Sequence, residues 1–150
     1  MSLHSYSKCW LHLVWGTLKR EKLITGKEER KRVSSYLYDY AKAKNIFMKI
    51  NYVNVEHVHS LVDLPTNLCI EEMMHLLKGS SSHWINQNNI CHGKFAWGRG
   101  YAALSVSESN LQKVAKYIEN QGEHHKVKSF NAEYEQFIKA YGMKYVPEEV

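Results

Sequence analysis

With 150 residues, 44% of them hydrophobic and 12% aromatic, the chain is long enough to bury a core, and one domain spanning 1–150 is its simplest organisation. A formal net charge of +5 favours a polyanionic partner without separating DNA from RNA or an acidic membrane surface. Cys9, Cys69 and Cys91 are odd in number and far apart, which argues against a disulfide framework or a cysteine zinc cluster and fits a reducing cytoplasm. The N-terminus lacks a signal-peptide pattern and no run approaches the ~20 apolar residues of a membrane span, so a soluble cytoplasmic protein with no membrane partner is expected.

Residues 5–16 alternate, Cys9, Leu11, Leu13 and Trp15 against Lys8, Trp10 and His12, the period of a strand with one buried face. Residues 27–44 place Val33, Tyr36, Leu37, Tyr40 and Ala41 at helical spacing, and Asn45 can end that helix. Two strand-like runs follow, about 46–53 and 55–64, the second closed by Pro65, and together they suggest a hairpin. A second amphipathic helix covers about 69–87, interrupted by the small, flexible GSSS at 79–82. GYAALSVS at 100–107 reads as a fourth strand, Ser109-x-x-Gln112 resembles a capping box opening a helix that ends at Gly122, and a last helix covers 130–141. The order β-α-β-β-α-β with two added helices is the ferredoxin-like α+β pattern, a four-stranded antiparallel sheet with two helices on one face and the other face left free for function.

The stretch VEHVHSLVDLP at 55–65 carries the first chemical signal. Side chains two apart on a strand share a face, so His57 and His59 point the same way with Cα atoms roughly 6.6–6.8 Å apart, a spacing that lets one cation sit between them. The same pattern also fits two hydrogen-bonded polar residues on a solvated face. A histidine-triad hydrolase would need a third histidine where Leu61 stands, and a dinuclear hydrolase an aspartate and a histidine at Leu61 and Val62; neither fits. Two ligands do not make a tight site, so a third has to come from elsewhere.

The helix at 109–121 offers candidates. Leu111, Val114 and Ile118 form its packing stripe, while Lys113, Tyr117 and Gln121, each four apart, form a polar stripe with Cβ atoms roughly 5–6 Å from one another. Tyr117 also fits an amphipathic residue at the edge of the core.

At this point the chain resembles the single-tyrosine HUH transposases of the insertion sequence 200/605 type. The resemblance rests on HLVWGT at 12–17, VEHVHSLVDLP at 55–65, LLKGSSS at 76–82, GYAALSVS at 100–107 and YIENQGEHHK at 117–126, in that order over nearly the whole chain. Glu56 departs from the aspartate that relatives often carry, but keeps the carboxylate. The resemblance implies that His57, His59 and Gln121 bind a divalent metal, Mg²⁺ or Mn²⁺, and that Tyr117 attacks single-stranded DNA to form a 5′-phosphotyrosine, at imperfect hairpins near element ends. It also implies a homodimer whose tyrosine helices can serve the opposite chain. Lys113, one turn before Tyr117, fits a group that stabilises a phenolate and equally a solvated lysine on a basic helix. His124 and His125 are either exposed residues near the site or part of a dimer surface.

Lys19, Arg20, Lys22, Lys27, Arg30, Lys31 and Arg32 cluster around the first helix, with Lys78, Lys94, Arg99, Lys126 and Lys128 later. Charge runs are commonly solvated faces; as a set these favour phosphate contacts with steep salt dependence. Lys78, Arg99, Lys113 and Lys126 are the candidate DNA contacts, and Trp10, Trp97 and Tyr101 are candidates for stacking on unpaired bases. Two other readings stay open: a non-catalytic or domesticated module of the same fold that binds structured DNA or RNA, and a mononuclear hydrolase that activates water with the same histidines.

Overall fold

The computed structural model describes residues 5–124 and 128–147. Four strands, β1 (Trp10–Gly16), β2 (Phe47–Val53), β3 (His57–Asp63) and β4 (Ala102–Val106), pair antiparallel in the order β2-β3-β1-β4. Helix α1 (Lys27–Ala43) joins β1 to β2, and α2 (Ile70–Gln87) joins β3 to β4. After β4 come α3 (Leu111–Glu119), the short α4 (Gln121–His124) and α5 (Phe130–Ala140). This is the expected ferredoxin-like α+β arrangement, with the two histidine positions on a central strand.

Period-two alternation decides which side chains enter which layer. Leu11, Leu13 and Trp15 of β1 and Val58 and Val62 of β3 face α1 and α2, where Val33, Leu37, Met73 and Leu77 complete the main core. Asn45, at φ 59°, ends the turn after α1 in the left-handed region that asparagine tolerates. Helix α2 opens on Cys69, whose thiol accepts the Glu72 N–H while the Glu72 carboxylate accepts the Cys69 N–H, a reciprocal cap built on cysteine.

Several expectations are corrected. The first strand begins at Trp10, not at 5, because its partners run out there: Trp10 pairs with Asp63 and Val106, the ends of the neighbouring strands. GSSS does not interrupt α2. Its hydroxyls bond back onto the helix, Ser81 Oγ to Leu77 O at 2.7 Å, and buried Ser81 receives the Trp97 indole N–H at 2.9 Å, a docking that a larger side chain would obstruct. The Ser109 capping box does not form; Glu108–Asn110 is a 3₁₀ turn and Ser109 Oγ pairs with Ser107 Oγ. The following helix stops at Glu119, and after Asn120 the chain turns into α4.

The largest correction concerns the second face of the sheet, which is covered. Its residues include Leu61, Val14, Ala102 and Leu104, an apolar set that must be removed from water. Helix α3 brings Leu111 and Ile118 against Trp10 and Leu61. Helix α5 brings Phe130 against Val14, Ala102 and Leu104. Between these two helices lie the histidines.

Candidate active site

The register of β1 and β3 sets the frame. Val14 lies opposite His59 and Gly16 opposite His57, so the two imidazoles and His12 rise on the face under α3 and α5. Gly16 has a specific reason to lack a side chain: a β-carbon there would collide with the Arg20 guanidinium and come within 3.0 Å of Phe130 Cε2. That space lets the Phe130 ring stack on His57, centroids 3.9 Å apart and planes 5° apart. Arg20 covers the outer side, 4.6 Å from the Phe130 centroid and 5.0 Å from that of Tyr134, and so pins the start of α5 to the end of β1.

His57 and His59 are fully buried, and hydrogen bonds define the tautomer of His57. His57 Nδ1–H donates to Glu56 Oε1 at 2.7 Å, and its Nε2 accepts from Asn54 Nδ2 at 3.1 Å. Thus His57 Nε2 carries a lone pair, the state a metal ligand needs. His59 Nε2–H donates to Glu133 Oε1 at 3.0 Å, while its Nδ1 pairs with His12 Nε2 at 2.8 Å. His12 is held neutral, its pKa lowered to about 3 by burial and then by the neighbouring His59, against an opposing pull from Glu133. A neutral His12 can donate to His59 or accept from it. His59 Nδ1 therefore finds a partner in either tautomer.

Glu133 is the residue that sequence reasoning missed. It projects from α5, is 3% exposed, and accepts the Tyr117 hydroxyl on Oε2 while Oε1 lies 3.0 Å from His59 Nε2 and 3.8 Å from His57 Nε2. The ligand atoms of His57, His59 and Glu133 all lie within 4.8 Å of one another, a buried group able to bind a metal. Buried Gln121, from α4, directs its amide nitrogen to Glu133 Oε2 at 3.5 Å and to the Tyr117 carbonyl at 3.4 Å. Tyr117 is partly buried, and its phenol pKa is pushed well above the ordinary value by burial first and by Glu133 second. The phenol is therefore protonated at neutral pH. A signal for Glu133 did exist: a carboxylate inside the apolar stripe Phe130, Tyr134, Phe137 and Ile138.

The arrangement joins an aromatic hydroxyl to a histidine pair through one carboxylate, and comparison with known proteins gives it a family. The family model described as "Transposase IS200 like" matches residues 5–121. The chain belongs to the IS200-like transposase family. The transposase of insertion sequence element IS200 from Salmonella typhimurium is 29% identical over 129 residues, covering 83% of this chain and 84% of its own. The ISDra2 transposase TnpA of Deinococcus radiodurans is 27% identical over 115 residues, covering 73% and 81%. Among solved structures, a Deinococcus radiodurans protein described as a transposase superposes with TM-score 0.60 at 25% identity, over 81% of this chain and 96% of that one. The REP-associated tyrosine transposase bound to a REP hairpin gives TM-score 0.59 at 13% identity, over 99% and 93%, a likeness of fold alone.

In this IS200-like transposase the candidate DNA contacts fall into separate places. Lys78 donates to the carbonyls of Gly98, Arg99 and Gly100 at 2.7, 3.1 and 3.3 Å, fastening the loop before β4 to α2. Lys78 and the exposed Arg99 share a hollow of about 200 Å³ with Glu71 and His75, which has no lining residue in common with the cavities beside Tyr117 and Glu56. Exposed Lys113 lines a cavity of about 300 Å³ with His12, Tyr117 and Tyr141. Lys126 and His125 lie outside the described residues, as does the side chain of His124. Trp10 and Trp97 are buried and their indoles bond to Glu108 and Ser81, so they are core residues and not stacking platforms. The basic cluster reaches the site elsewhere: Lys22, Arg30 and Lys128 line a cavity of about 650 Å³ together with Asn54, Glu56 and Phe130. Among the described residues no helix is long and apolar enough to cross a membrane.

Proposed function

We propose that this transposase acts on single-stranded DNA in the cytoplasm, with residues 1–150 as one catalytic domain, Tyr117 as nucleophile, and His57, His59 and Gln121 as ligands of Mg²⁺ or Mn²⁺. The observation that carries the reading is that the Tyr117 hydroxyl and His59 Nε2 bond to the two oxygens of a single carboxylate, within a chain of the IS200-like family. Imidazole and amide donors make a mixed site that suits a divalent ion able to accept further oxygen ligands, and such an ion supplies positive charge beside an anionic phosphate oxygen.

The remaining chemistry belongs to the chain. Tyr117 Oη bonds to phosphorus, the P–O3′ bond breaks, the phenol proton is lost, and the departing 3′ oxygen takes up a proton to leave as a hydroxyl. A 3′-hydroxyl from another strand then attacks the 5′-phosphotyrosine, restoring the phosphodiester and returning Tyr117 to a phenol. Bond energy is conserved in the covalent link, so the exchange needs no nucleotide cofactor. Lys22, Arg30 and Lys128 offer charge for the DNA backbone beside Glu56 and Phe130. A hairpin at the element end is the proposed recognition feature, in keeping with the REP hairpin bound by the structural neighbour.

The test is incubation with single-stranded oligonucleotides carrying the hairpins that flank its own gene, with Mg²⁺ or with EDTA, followed by denaturing electrophoresis. The parent protein forms a covalent protein–DNA band with Mg²⁺, and Tyr117→Phe binds the hairpin but forms none. An adduct that persists in Tyr117→Phe refutes the nucleophile. Diester hydrolysis that survives the same change favours the water-activating hydrolase, and hairpin binding without cleavage by the parent favours the binding module.

A further inference from the structure

We propose that Glu133 unites the two halves of the site: one carboxylate oxygen ligates the ion held by His57 and His59, and the other holds the Tyr117 hydroxyl, so that the nucleophile is positioned by a metal ligand. The inference rests on the reading above and adds a residue outside the segment matched by the family model, which ends at 121.

The argument starts from the cost of burying an acid. Glu133 is 3% exposed, and a carboxylate so placed is costly unless its lone pairs are used. Oε2 is used by Tyr117 and approached by Gln121. Oε1 is differently placed. It accepts from His59 at 3.0 Å, yet 3.8 Å away it also faces His57 Nε2, whose lone pair is directed outward because Nδ1–H is committed to Glu56. A cation entering this group would take the His57 Nε2 lone pair in place of the Asn54 amide and meet the Glu133 charge beside it, with the ligand atoms of His57, His59 and Glu133 all within 4.8 Å of one another. The His12–His59 pair supplies the remaining adjustment: a proton on His59 Nδ1, donated to His12 Nε2, places the His59 lone pair on Nε2, the atom that faces Glu133. Glu56 and His12 then act as outer partners of the two imidazoles, and the Asn54 amide gives up its bond to His57 Nε2.

A carboxylate in the donor set also has a chemical signature. A charged, hard oxygen raises the affinity for Mg²⁺ and Mn²⁺ more than that for Ni²⁺ or Zn²⁺, which imidazole nitrogens already bind well. Glu133 acting only as a packing residue would have no such effect.

The experiment uses the full chain stripped of metal. Mn²⁺ and Ni²⁺ are titrated in by calorimetry, thermal unfolding is recorded without metal, and adduct formation on hairpin oligonucleotides is followed at saturating Mn²⁺. Glu133→Gln keeps the shape without the charge; the expected result is an unfolding temperature at or above the parent's, Mn²⁺ binding weakened about tenfold or more, a smaller loss for Ni²⁺, and slower adduct formation. Glu133→Asp keeps the charge on a shorter arm and is expected to weaken Mn²⁺ while the protein still melts cooperatively. Parental Mn²⁺ affinity in either folded variant overturns the proposal and leaves Tyr117 and the histidine pair untouched. A His57→Ala/His59→Ala protein that still binds Mn²⁺ like the parent overturns this inference together with the metal site on which it rests.

Discussion

At the scale of the residue, the candidate site is built from groups that each hold a neighbour in one state. Phe130 stacks on His57, Glu56 takes its Nδ1 proton, and Asn54 donates to its Nε2. Two-residue spacing on a strand put His57 and His59 on one face and four-residue spacing put Tyr117 and Gln121 on one polar stripe, while the roles assigned to them came from the family resemblance. Glu133 and His12 were not legible, because what they do depends on three elements meeting: Glu133 arrives from a helix 74 residues beyond His59, and His12 from a strand 47 residues before it. Glu56 provides a test at this scale. Its bond to His57 orients the ring and raises the electron density on Nε2, the effect that outer-shell carboxylates have on metal-binding imidazoles. Glu56→Ala is expected to weaken Mn²⁺ binding about 10- to 100-fold, as measured by calorimetry, with circular dichroism unchanged. An unaltered affinity would mean that His57 needs no help to stay in its ligand tautomer.

At the scale of the element, the strands and α1 were readable from hydrophobic period, except that alternation runs on before Trp10 where β1 has no strand partners. The other misreadings share a physical cause: local small or polar residues whose hydrogen bonds are supplied by context. GSSS reads as a break, yet Ser80, Ser81 and Ser82 bond to carbonyls of the preceding turn and α2 passes through unbroken. Ser109 reads as a cap, yet it pairs with Ser107. Gly79 separates these effects. It sits in the interior of α2, and a β-carbon there would meet nothing within 4 Å. Glycine in a helix interior costs backbone entropy with no packing return at this position, so Gly79→Ala is expected to stabilise the fold by about 0.5–1 kcal/mol, seen as a raised midpoint in urea denaturation with an unchanged slope. A lowered midpoint would show that the glycine serves a contact made by α2 with another molecule.

At the scale of the whole molecule, the sheet face expected to stand open is a buried layer, and this bears on which chain would supply the proposed nucleophile. Helix α3 presents Leu111 and Ile118 to Trp10 and Leu61, all at most 7% exposed, and α5 closes over the same face through Phe130. Handing α3 to a partner chain would first expose those side chains, at roughly 1.5–3 kcal/mol for each large apolar residue. It would also separate Tyr117 from the Glu133 carboxylate that it bonds within its own chain. We therefore expect the site to work in cis, contrary to the exchange of tyrosine helices that the family resemblance implies. Mixing Tyr117→Phe protein with His57→Ala/His59→Ala protein discriminates the two arrangements. Neither variant has both halves of a site, and if the halves must come from one chain the mixture forms no covalent adduct on hairpin DNA. If they come from different chains, random reassortment into dimers restores about a quarter of the parental sites, and an adduct at that level would show that α3 leaves its own sheet when the transposase assembles.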